Sequence, residues 1–258
     1  MSLQFIIGSS GIGKTHYACE QIIRESMENP QHLYYIIVPE QFTMQTQKNV
    51  VEMHPGKGIL NIDVLSFQRL AYRIFEETGG AREVLLDDTG KSMVLQKLVQ
   101  QHRKNLPYLG SQMNKPGYLD EVKSLISEFM QYDIREEELQ DMLGKTGEDS
   151  LLHMKMQDVG VLYQAFLQYL EGHYMTGEGV MDALKKAIPF SDKLKKSVLL
   201  LDGFTGFTPV QMNVIRELLN VCDKVLVTVT MDAGENPLQM GKPHQLFYMS
   251  RKMIHTLS

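Results

Sequence analysis

Short apolar runs rich in β-forming residues alternate along the chain with longer stretches whose apolar positions recur every three or four residues. Leu3–Ile7 is the first such run. A helical pattern follows from about Lys14 to Met27, then a second run at Tyr34–Val38, another helical stretch, and a third run at Leu60–Leu65. Strand, helix and strand in this succession predict a βαβ series and therefore a parallel sheet. In SFQRLAYRIFEETGG, Phe67, Leu70, Ala71 and Ile74 share one helical face, Ser66 precedes them as an N-cap, and Gly79-Gly80 stops the pattern.

The sheet pattern then pauses, and from about Val84 to Lys196 the period is helical almost throughout. Leu119, Val122, Leu125, Ile126, Phe129 and Met130 form one apolar stripe; Leu152, Met156, Val159, Tyr163, Phe166 and Leu170 form another. Lys115-Pro116-Gly117, Gly144-Lys145-Thr146-Gly147 and Thr176-Gly177-Glu178-Gly179 punctuate the block as loops. Alternation resumes at Ser197–Leu201, an apolar strand ending in Asp202. Thr208-Pro209-Val210-Gln211 carries the marks of a helix start, with Thr as N-cap, Pro at the first helical position and Gln three residues after the cap. That helix reaches about Cys222, and Lys224–Thr230 is the next strand. The expected organisation is an α/β core from residues 1–83 and 197–258, interrupted by an all-helical insertion at 84–196.

Composition narrows this only a little. A hydrophobic content of 43% with 22% charged residues suits a folded chain rather than a disordered one. No apolar run approaches the roughly 18–20 residues that span a bilayer. Leu3–Ile7 passes straight into glycines with no basic stretch before it, so no signal peptide is expected and the cytoplasm is the expected location. Cys19 and Cys222 lack a CxxC partner and read as core thiols. The net charge of -5 provides no overall attraction for nucleic acid, so such a partner would need a local groove in which neutral and aromatic side chains do much of the work.

Chemistry enters at GSSGIGKT. Gly8, Ser9, Ser10, Gly11, Ile12, Gly13, Lys14 and Thr15 satisfy GxxxxGK[ST] between a strand and a helix, the context that makes this pattern informative. Glycines let successive N–H groups curl toward phosphate oxygens, the helix N-terminus adds its positive end, Lys14 reaches the β and γ phosphates of ATP, and the Thr15 hydroxyl is placed to ligate Mg²⁺. Asp202, at the end of the buried run VLLLDG, is the candidate to hold that Mg²⁺ from a neighbouring strand, although on its own, without the loop, an Asp there would read as a strand-ending turn residue. Hydrolysis needs a further group that orients the attacking water. In helicases and many other P-loop ATPases a Glu directly follows this Asp; here the position is Gly203, and the next carboxylate is Glu217, well along the following helix. Nucleotide binding is thus expected more firmly than turnover.

The long interval between Lys14 and Asp202, filled by the helical block, is unlike a minimal P-loop kinase. It matches the layout of superfamily 1 helicases, a RecA-like core interrupted by a helical subdomain in the 1B position. IIVPEQFT falls where those proteins have motif Ia, and VLSFQRLAYRIF resembles their TFHSLA segment. More narrowly, GSSGIGKT, VPEQ, SFQRLAYR and DGFTGFTP resemble the N-terminal region of the AddB (or RexB) family, the B component of bacterial AddAB helicase-exonucleases. The resemblance implies a RecA-like P-loop fold, a heterodimer with an AddA-like motor subunit, single-stranded DNA binding, and a part in recognising the Chi sequence during double-strand-break repair. It also implies a nuclease domain and an iron–sulfur cluster far beyond these residues, with no counterpart here.

Positions that fall in the family's DNA-facing motifs are Gln41, Thr43, Ser66, Phe67, Arg69, Tyr72 and Phe207. All lie just past predicted strands, at the carboxyl edge where open α/β sheets bind ligands. Phe67 could instead be core, Phe207 a hydrophobic staple, and Arg69 and Gln41 solvated surface. Two other classes stand beside the helicase-like reading: a P-loop phosphotransferase, which would be expected to carry an Arg-rich lid where only Arg216 and Arg251 follow Asp202, and a docking module with a vestigial phosphate loop.

Overall fold

The computed structural model describes residues 2–80, 83–113, 115, 117–147, 150–232 and 234–258. The chain divides into two compact units, Met1–Gly80 with Met181–Ser258, and Ala81–Val180. The first unit opens with β1 (Ser2–Gly8), α1 (Lys14–Glu28), β2 (Leu33–Ile37), α2 (Thr43–Met53), β3 (Ile62–Leu65) and α3 (Phe67–Thr78). The second holds β4 (Val84–Leu85), α4 (Asp88–His102), α5 (Leu109–Gln112), α6 (Tyr118–Gln131), α7 (Glu136–Gly144), α8 (Leu151–Leu170) and β5 (Tyr174–Met175). After α9 (Gly177–Ala187) come β6 (Ser197–Leu201), α10 (Pro209–Val221), β7 (Lys224–Thr230) and α11 (Tyr248–Leu257).

Five strands form one parallel sheet in the order β1-β7-β6-β2-β3. This is the α/β, RecA-like arrangement that the strand and helix alternation predicts. β2, and β6 from Val198 on, are apolar without interruption because a parallel sheet is covered on both faces. On one face Tyr34, Ile36, Val198, Leu200 and Leu226 pack with Ala18, Ile22 and Val50 of α1 and α2. Each Val, Leu or Ile among them removed from water contributes roughly 1.5–3 kcal/mol. The third strand begins at Ile62 rather than Leu60, and Leu60 is fully exposed.

The second unit has its own core. Val122, Ile126 and Phe129 of α6 meet Val159, Tyr163, Phe166 and Leu170 of α8 and Leu95 and Leu98 of α4. These are the two stripes read from the sequence, although Leu152, expected to start the second, is exposed. The block is not purely helical: β4 and β5 form a two-residue parallel ladder, Val84 with Tyr174 and Leu85 with Met175. Of the punctuating residues, Pro116 lies outside the described residues. One buried ion pair ties the unit together, with Lys91 Nζ 3.0 Å from both Glu178 carboxylate oxygens and 3.3 Å from Ser127 Oγ.

Among the described residues no helix is long and apolar enough to cross a membrane. Cys19 and Cys222 are buried and free.

Candidate functional site

β1 ends at buried Gly8, and the chain turns back over it so tightly that a Cβ at Gly8 would sit 2.9 Å from Ile12 Cγ2. Gly11 and Gly13 then take φ values of 77° and 95°, in the left-handed region that an L side chain enters at a cost of about 1–2 kcal/mol. Gly13 is the N-cap of α1 and offers no side chain to its first N–H groups. Those donors and the positive end of the helix are therefore left for an anion. Lys14 Nζ, the loop's cation, donates to Ser9 O at 2.8 Å. Ser9, Ser10, Gly11, Ile12 and Gly13 are all exposed.

Asp202 continues β6, its N–H donating to Ile37 O of β2 at 3.0 Å. Its carboxylate is 5% exposed and accepts the Thr15 hydroxyl, with Oγ1 3.0 Å from each oxygen, and the Thr228 hydroxyl at 2.6 Å. Thr15 and Asp202 are 187 positions apart in the chain. They meet because β7 alone separates their strands in the sheet. Among the described residues no group of three or more His, Cys, Asp or Glu is arranged to hold a metal. A cation here would depend on Thr15, Asp202 and the ligand's own oxygens, which suits an ion arriving with phosphate. Cys19, one turn below Thr15, has its thiol pushed up to about 12, first by burial and then by the Asp202 charge. It stays a neutral thiol at physiological pH.

Gly203 follows with φ 79°. A Cβ there would find only Pro39 Cδ, at an ordinary 3.6 Å, so backbone conformation rather than space excludes a side chain. A cavity of about 550 Å³ opens off the loop, walled by Gly11, Gly13, Lys14 and Thr15 on one side and by Thr46 and Asn49 of α2 on the other.

The remaining candidates separate by burial. Gln41 is exposed in the turn after β2, whereas Thr43 is buried and donates its hydroxyl to Glu40 O at 2.9 Å. Ser66 is buried and caps α3, accepting from Arg69 N at 3.3 Å. Arg69 is half-exposed and paired to Glu40, Nε to Oε1 at 3.1 Å. Tyr72 is part-exposed and edge-on to Phe75. Phe67, 5% exposed, sits in a three-ring cluster whose centroids lie 5.6 Å from Phe204 and 6.3 Å from Phe207. Phe204 and Phe207, 5.0 Å apart, are only partly buried.

Residues 5–258 match the family model described as ADDB, N-terminal. The chain belongs to the AddB N-terminal family. It is similar to the B subunit of an ATP-dependent helicase/deoxyribonuclease from Lachnoclostridium phytofermentans, 45% identical over 258 residues, all of this chain and 22% of the relative. Proteins of the same name from Alkaliphilus metalliredigens (32% over 252 residues, 98% of this chain) and Geobacillus thermodenitrificans (33% over 266 residues, all of it) are also similar. The chain spans about a fifth of their length, 22% in each case.

In this AddB N-terminal region, sequence reasoning missed Thr228, Phe204 and Phe42. Thr228 leaves a faint mark, a hydroxyl inside the apolar run of β7. Phe204 stands in DGFTGFTP beside the candidate Phe207, but nothing local says that it bridges to Phe67. Phe42 is half-exposed beside Gln41, an aromatic at the same edge.

Proposed function

We propose that this AddB N-terminal region binds Mg-ATP at its phosphate loop and holds single-stranded DNA at the carboxyl edge of its sheet, with little hydrolysis of its own. It would serve a helicase/nuclease subunit acting in double-strand-break repair alongside a separate AddA-like motor, with a part in reading the Chi sequence. The contact of Thr15 and Thr228 with Asp202, followed directly by a left-handed Gly203, carries this reading. It unites a phosphate-and-metal cradle with a turn that lacks the water-orienting carboxylate.

The residues fit the ligand. Exposed N–H groups at the start of α1 would donate to the phosphates, and Lys14 would exchange the Ser9 carbonyl for a phosphate oxygen. Thr15 and Asp202 would hold the Mg²⁺, which when bound offsets the charge of the phosphates. At the edge, Phe207 offers a ring for base stacking worth about 1–3 kcal/mol, and Gln41, Arg69 and Tyr72 present polar groups toward solvent. Buried Thr43 and Ser66 act by shaping the two turns that present them. The names of the relatives support the assignment to such a helicase/nuclease.

Nucleotide titration tests this, with Lys14→Ala as control. Mg-ATP binding is expected in the wild type and should weaken at least about tenfold in the variant. Turnover should stay low with or without single-stranded DNA. Robust DNA-stimulated hydrolysis would sink the non-motor reading, and absence of any nucleotide binding would favour a docking module.

A further inference from the structure

β7 lies between the strand that leads into the phosphate loop and the strand that ends at Asp202. It is buried from Val225 to Val229, and within that stretch Thr228 is the one polar side chain. A hydroxyl in a sheet interior is costly unless bonded, and this one donates to Asp202 Oδ1 at 2.6 Å, closer than either Thr15 contact at 3.0 Å. The two hydroxyls differ in what a metal asks of them. Thr15 Oγ1 stands at the exposed start of α1, where its lone pairs can face Mg²⁺ while its proton stays with Asp202. Thr228 is 5% exposed inside the sheet and has no such second task.

We infer that Thr228 is a positioning residue of the magnesium site. Its bond keeps Oδ1 of Asp202 turned into the sheet, leaving Oδ2 for the water shell of the metal, so that Mg-nucleotide is preferred over free nucleotide. The inference rests on the nucleotide-binding reading.

The test is titration of a fluorescent ATP analogue into the protein with Mg²⁺ and again with EDTA, alongside thermal melting. Thr228→Val keeps the shape of the side chain and removes the donor. It should lose about tenfold in affinity with Mg²⁺, the scale of a hydrogen bond to a charged group, and change less than about twofold in EDTA. Thr228→Ser should restore the Mg²⁺ preference. If Thr228→Val does not fold, Thr228→Ala, which also lacks the donor, is read the same way. Equal losses with and without Mg²⁺, or a Mg²⁺ preference kept in full by the donor-less variant, would overturn the inference while leaving nucleotide binding intact. Failure of the wild type to bind in either condition, matching Lys14→Ala, would remove the nucleotide reading and this inference with it.

Discussion

Gly203 holds a left-handed φ of 79° next to a carboxylate that is buried and bonded on both oxygens. Glu at this position would have to adopt that conformation at a cost of about 1–2 kcal/mol, or turn the strand end and disturb Asp202. Gly203→Glu is therefore expected to lower stability by that amount and to give no gain in ATPase activity, checked by urea unfolding and a phosphate-release assay. Phe67 and Phe207 make an instructive pair. Both are candidates for stacking on DNA by sequence, but Phe67 is buried, so Phe67→Ala should cost about 3–5 kcal/mol of fold stability. Phe207→Ala removes a partly buried ring from the cluster and should cost less stability, about 0.5–1.5 kcal/mol, while weakening single-strand binding by about 1–3 kcal/mol in fluorescence anisotropy. Arg69 is tied to Glu40, but both partners are half-exposed, and such pairs contribute at most about 1 kcal/mol. The Arg69 guanidinium is thus easily released to a phosphate.

Helix ends differ in how their first N–H groups are satisfied. α3 is capped by Ser66, and α10 by the reciprocal Thr208 and Gln211 box, so their first donors are satisfied within the protein. α1 has Gly13 as its N-cap with no side-chain bond, as α6 has Gly117, and it is the glycine-loop sequence before it that singles out α1. In the helical unit, α4 and α9 are joined by Lys91 and Glu178, whose side chains are 8% and 10% exposed. Burial alone pushes the Glu178 carboxyl up, but hydrogen bonds from its own N–H and from Lys91, with the Lys91 charge, bring it below its ordinary 4.5. A depressed carboxylate contributes stability above its unfolded pKa and loses it as pH falls through the folded one. Glu178→Gln, which leaves the buried Lys91 ammonium with Ser127 and the exposed Asp88 carboxylate 3.7 Å away, should cost about 1–3 kcal/mol at neutral pH. In thermal melts across a pH series the gap to the wild type should close progressively below pH 4.5.

Over the whole molecule the net charge of -5 works against polyanions, and the candidate edge offers Arg69 as its cation. Single-strand affinity should therefore fall only gently with salt, with a log–log slope of about −1, since each neutralised phosphate contributes about −0.7. A slope as steep as about −5 would point to a basic surface elsewhere and against stacking at this edge. Much of the architecture was legible in linear patterning: alternation foretold the parallel sheet, the three-to-four period foretold the helical block, and GSSGIGKT announced its own loop. Each is a property of neighbours within a turn or two of chain. The short β4 and β5 ladder, the burial of Phe67 under Phe204 and Phe207, and the Thr15–Asp202–Thr228 contact were not legible. Buried parallel strands all read as similar apolar runs, so nothing within β7 says that it lies between β1 and β6. Strand order and register arise from pairing and packing between distant segments. For that reason a candidate phosphate loop could be named from eight consecutive residues, whereas the Thr228 hydroxyl on Asp202 emerged only where three remote pieces of chain come together.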